Sequence, residues 1–74
     1  MERVLERVEV VRDPDVMSGD PCVAGTRIPV ETVILNLKAG HSLERIFRAY
    51  PTLPQGGVEA AIRWAEANGI AWRA

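Results

Sequence analysis

"GHSLERIFRAYPTLPQGGVEAAIRWA", residues 40–65, is the stretch whose reading decides the fold. Ser42 is a good helix N-cap, and Glu44 falls in the first turn, where the helix dipole favours negative charge. Leu43, Ile46, Phe47 and Tyr50 follow at i, i+3, i+4 and i+7, an amphipathic stripe that Pro51 ends. A second stripe of Val58, Ala61, Ile62 and Ala65 predicts another helix, closed by Gly69. Between them lies a short turn holding Leu53. Ile46, Leu53, Val58 and Ile62 are spaced to meet inside the angle of a helix-turn-helix. The start of the second of these helices is irregular. "LPQGGV" supplies no Ser, Thr, Asp or Asn cap, and each glycine costs ~1 kcal/mol in a helix interior, so fraying is expected there.

Upstream, "AGTRIPVETV" (residues 24–33) reads as a joint between extended chain and helix. Pro29 pushes Ile28 toward extended backbone, while its own fixed φ and missing N–H suit a first helical position. Val30, Val33, Ile34 and Leu37 make the stripe of a helix expected over Pro29–Ala39, with Lys38 in its last turn and Gly40 as terminator. Before the joint, "RVEVVR" is valine-rich and predicts a strand over Arg7–Val11. Asp13-Pro14-Asp15 and Ser18–Pro21 are turn signals, and "CVA" (residues 22–24) is a candidate second strand. A two-stranded ribbon is marginal alone, so it is expected to lean on the helices. The expected architecture is one mainly α domain: an extended β segment over 1–28, a three-helix homeodomain-like bundle over 29–69, and a tail at 70–74.

Composition limits the function. Seventy-four residues lie near the lower size for an independent core, and such a chain buries only ~60% of its unfolded surface, which favours a homodimer. Hydrophobic content of 47% with 26% charged residues is that of an ordinary globular domain. No apolar run approaches the ~18 residues of a membrane span, and the charged "MERVLERVEVV" is not a secretory signal pattern. The lone Cys22 excludes an internal disulfide and fits a reducing cytoplasm. A net charge of −1 advertises no general affinity for nucleic acid or membranes, so any such contact has to be local.

Local candidates are few. In a DNA-binding helix-turn-helix, the early residues of the second helix reach base edges. Gln55 could read an adenine and Arg45, Arg48 and Arg63 could touch phosphates, but Gly56 and Gly57 read nothing and Glu59 repels phosphate. A helical hairpin used only for packing is the competing reading. Arg27, at the exposed joint, is a candidate for pairing either within the fold or with a partner. Trp64 and Trp72 are candidates for a partner interface, or for a lid on a small core.

The enzyme case is thin. His41 is expected to be an exposed spacer between helices and Cys22 a small buried hydrophobe. Asp13, Asp15 and Asp20 are expected to form a solvated turn, no zinc-type ligand spacing is present, and "GDPCVAGT" lacks the Lys of a phosphate loop. No catalytic residue, metal or cofactor is assigned.

Several features together resemble a known family: Asp13-Pro14, Gly19, Pro21, the "AGTRIPV" block, Gly40 with Ser42, Ile46, Tyr50-Pro51, Leu53, and Val58 with Ala61. Over about Val10–Ala67 the chain resembles the small bacterial domain-of-unknown-function family number 433. The resemblance implies a homeodomain-like three-helix fold with a small N-terminal β element and no catalytic residues. It also implies an antitoxin-like role of VapBC type, beside a PIN-like ribonuclease toxin as partner and with operator DNA as a second one. Where the family carries a Thr or Ser cap and an acidic pair before its third helix, this chain has Pro54, Gln55, Gly56 and Gly57. A stand-alone DNA-binding regulator and a structural dimerisation module are the alternative functions.

Overall fold

The computed structural model describes residues 8–15 and 19–74. Two very short strands, β1 (Val10–Val11) and β2 (Cys22–Val23), pair antiparallel with Val10 opposite Val23 and Val11 opposite Cys22. The Ala24 N–H extends the ribbon by donating to the Glu9 carbonyl at 2.8 Å. The strand is therefore shorter than the valine pattern predicts, and Arg7, its expected start, lies outside the described residues.

The β2–α1 joint is a closed backbone turn. Val23 N–H donates to Ile28 O at 3.0 Å and Val30 N–H donates to Pro21 O at 2.9 Å, while Cys22 and Pro29 form an isolated bridge. Helix α1 then spans Val30–Lys38. Pro29 stands one position before the helix rather than inside it, with φ −63° and ψ 141°. Its ring fixes φ at a value that helix and extended chain share, so ψ decides. The extended ψ is what allows the bridge to Cys22. The C-terminus follows the sequence closely: Ala39 caps it, and Gly40 takes a left-handed φ of 81° that a Cβ would penalise.

Helix α2 spans Leu43–Ala49, and the Ser42 hydroxyl accepts from Arg45 N–H at 3.1 Å as its cap. Helix α3 spans Gly57–Ala67, with Asn68 at its C-cap and Gly69 following. The main helix pairing is α1 on α3, and the small Ala61 and Ala65 of α3 are buried in the common core. Val23, Ile28, Val30, Val33, Ile34, Ile46, Leu53 and Val58 complete one core with them. Within the helix-turn-helix, Ile46, Leu53 and Val58 are buried and Ile62 is half-buried against the same core, as the spacing predicts.

The frayed start expected for α3 is not what forms. Gly56 turns the chain with φ 88°, Gly57 N–H donates to Pro54 O and Ala60 N–H donates to Gly56 O, both at 2.9 Å. Gly57 is buried, and a Cβ there would come within 2.7 Å of Leu53 Cδ1. The two glycines weaken the helix as residues but are required by the turn: one supplies left-handed backbone, the other makes room for Leu53.

Candidate functional site

The turn between β2 and α1 is locked by one side chain. Thr26 Oγ1 donates to Val23 O at 2.8 Å and accepts from Ile28 N–H at 3.0 Å, so the loop carries its own internal brace. Arg27 sits on that brace, exposed, and its guanidinium makes no hydrogen bond or ion pair among the described residues. It borders an open hollow of about 580 Å³ shared with Val11, Asp13, Asp20 and Thr52. Asp13 is occupied in a turn of its own, accepting from Asp15 N–H at 2.9 Å. Cys22 lies beneath, 3% exposed, and burial together with the nearby Asp20 carboxylate pushes its thiol above the ordinary range. A thiol buried and shifted in this way is the small buried hydrophobe the sequence predicts.

The four candidate DNA contacts do not share one role. Arg45 and Arg48 border a shallow hollow of about 510 Å³ along the outer side of α2. Arg48 pairs with Glu44 at 3.2 Å, with both side chains at least 75% exposed, a solvated pair that contributes ~0.3–0.5 kcal/mol. Gln55 is exposed in the α2–α3 turn. Arg63 has an intramolecular partner: its Nη2 donates to the Val8 carbonyl at 2.7 Å, which ties the N-terminal segment to α3. The same segment lies over the start of α3, since a Cβ on Gly56 would stand 3.2 Å from Val8 Cγ2. The first turn of the expected reading helix is thus packed against Val8 and Leu53, not presented as a free tip.

The tryptophans occupy adjoining surfaces. Trp72 folds back onto the core, half-buried, with its indole N–H toward Glu66 Oε2 at 3.4 Å and the Arg73 guanidinium 4.7 Å over its ring. Trp64, also half-buried, lines a groove of about 390 Å³ between α1 and the end of α3. Ile70 borders both surfaces. The sequence offers little notice of this groove. Its exposed apolar members, Leu35 and Ile70, fall off the amphipathic stripes that reveal helices. His41 is a correction: half-buried rather than an exposed spacer, it bonds Asn36 Oδ1 through Nδ1 at 2.9 Å. Asn36 Nδ2 donates to Thr32 O, so its Oδ1 is the acceptor and His41 Nδ1 carries the proton.

This geometry can be set beside known proteins. Residues 10–65 match the family described as "Protein of unknown function (DUF433)". The chain belongs to that family. As a DUF433 protein it is similar, at 42% identity over 64 residues, to "Uncharacterized protein y4eO" of Sinorhizobium fredii, a match covering 86% of this chain. The match spans only 29% of that relative, so this DUF433 chain corresponds to less than a third of the longer protein. No solved structure matches it. Among the described residues, no helix is long and apolar enough to cross a membrane. Nor do three His, Cys, Asp or Glu side chains among them gather into a metal-binding cluster.

Proposed function

We propose that the protein is a non-catalytic, antitoxin-like regulatory module that binds and neutralises a PIN-like ribonuclease, with Arg27 as the central contact. One observation carries this reading: a guanidinium without an intramolecular partner among the described residues, exposed on a loop whose backbone is braced by Thr26. A rigid loop spends little ordering entropy when its cation meets a carboxylate, and planar Arg is suited to two-point contact with one. The active centre of a metal-dependent nuclease offers such carboxylates. The hollow beside Arg27 and the exposed Val11 give the partner both polar and apolar surface.

The test is to mix the protein with a PIN-like ribonuclease taken from an adjacent reading frame and follow RNA cleavage. Excess protein is expected to stop cleavage. Arg27→Ala is expected to weaken inhibition at least tenfold with the melting temperature unchanged. Undiminished cleavage at excess protein overturns the reading.

Operator DNA is a second reading, supported by Arg45 and Arg48 on one exposed side of α2. It predicts steeply salt-sensitive binding to the protein's own promoter that falls when both become Ala. Flat binding curves at low salt would remove it.

A further inference from the structure

Helix α1 carries a charge and apolar pattern that is complementary to itself when reversed. Glu31, Leu35 and Lys38 lie at i, i+4 and i+7, on one stripe, and all three border the groove that Ile34, Trp64 and Ile70 also line. Seven residues separate the two charges, about 10 Å along the axis. Among the described residues neither Glu31 nor Lys38 has an ion-pair partner, since the pair found there is Arg48–Glu44. Leu35 is 57% exposed and Ile70 is 40% exposed, and both sit in this groove. An apolar side chain that open, flanked by two unused opposite charges, is unusual for a protein of 8.2 kDa that has little core to spare.

We infer that this face binds a second copy of the same chain, with the two α1 helices antiparallel about a two-fold axis near Ile34–Leu35. In that register Glu31 of each copy meets Lys38 of the other, so one contact type is made twice. Each Leu35 leaves water for the groove of the opposite copy, beside Trp64 and Ile70. The groove's remaining charges, Arg12 and Asp20, balance each other. A face with two acidic and two basic side chains repels neither itself nor its image, whereas it offers nucleic acid no net attraction. Self-association places Arg27 and the outer side of α2 elsewhere on the chain, so both readings of function stay open to a dimer. Dimerisation through α1 also stands without either of them.

The experiment needs only the purified full chain. Sedimentation equilibrium across micromolar to millimolar concentrations is expected to give a dimer, with Glu31→Lys or Lys38→Glu each weakening the dissociation constant on the order of tenfold or more, since symmetry doubles every change. The double variant Glu31→Lys/Lys38→Glu rebuilds both pairs with reversed sign and is expected to recover most of the lost affinity. Leu35→Asp is expected to be monomeric in any charge background. Far-UV circular dichroism on each variant keeps folding and association apart, and the substituted side chains border the open groove rather than the core. A wild-type monomer at millimolar concentration overturns the inference. So do folded single variants that dimerise as well as the wild type, or a double variant no better than the singles.

Discussion

Helices α2 and α3 begin in opposite ways. At α2 the chain supplies its own start: Ser42 caps Arg45 N–H, Glu44 faces the dipole, and the first turn needs no support from elsewhere in the fold. At α3 no side chain caps the N-terminus. The start is made instead by a left-handed glycine, a buried glycine seated on Leu53, and Val8 laid across the top. Their bodies differ in the same sense. Ile46 is the one buried residue of α2, whereas α3 buries Gly57, Val58, Ala60, Ala61 and Ala65. One helix is well specified locally and loosely moored; the other is poorly specified locally and firmly moored. Local propensity and tertiary packing are thus interchangeable sources of order, and a helix needs only their sum.

The largest predicted effect attacks the mooring of α2. Ile46→Ala removes the branched side chain that is 0% exposed at the centre of the core, and such truncations cost about 2–5 kcal/mol. A domain of this length holds only about 4–11 kcal/mol in total. Chemical denaturation is expected to show loss of about a fifth or more of the stability, with α2 signals lost first in native-state hydrogen exchange. Equal loss of protection in α2 and α3 before the global transition would contradict the asymmetry.

Second comes the glycine pair. Gly57→Ala ought to stabilise by helix propensity, which favours Ala by ~1 kcal/mol. The added methyl, however, meets Leu53 Cδ1 at 2.7 Å and Cγ at 3.0 Å, and Leu53 is itself buried. Overpacking of that kind costs about 1–3 kcal/mol, so the net change is predicted to be destabilising. Gly56→Ala is predicted to destabilise by about 1–2 kcal/mol for a different reason, the left-handed φ of 88°. Denaturant midpoints check both. A Gly57→Ala protein more stable than the wild type would show that Leu53 yields freely and that the glycine is not there for space.

These substitutions mark where sequence reading succeeds and where it stops. The cap at Ser42, the terminator at Gly40 and the buried stripes holding Ile46 and Val58 depend on residues within one turn or one stripe of each other, so they are legible. The competence of α3's start depends on Leu53 and Val8 arriving from elsewhere, and composition read along "LPQGGV" sees only two poor helix formers. The same holds for the sites. Arg27 at an exposed joint is visible in the pattern, but Arg63 looks like any surface arginine until Val8 is placed 2.7 Å away, 55 residues earlier in the chain. The groove beside Leu35 leaves no mark on the sequence because it is built from α1, α3 and the tail together.

The smallest predicted effect is the most discriminating. Ser42→Ala deletes the acceptor for Arg45 N–H and is expected to cost ~1 kcal/mol, about 4–8 °C in melting temperature for a domain this size. Because Ile46 is the one fully buried residue of α2, with Phe47 packed beside it against the core, the loss should appear first as faster amide exchange at Arg45 and its neighbours, not as a change in the core. No comparable substitution exists at α3, which has no side-chain cap to remove; its first turn opens only when Leu53 or Val8 lets go. In the wild type, then, the first turn of capped α2 is predicted to exchange faster than the first turn of uncapped α3. If exchange ranks the two helices the other way, capping outweighs burial here, and the two sources of order are not interchangeable.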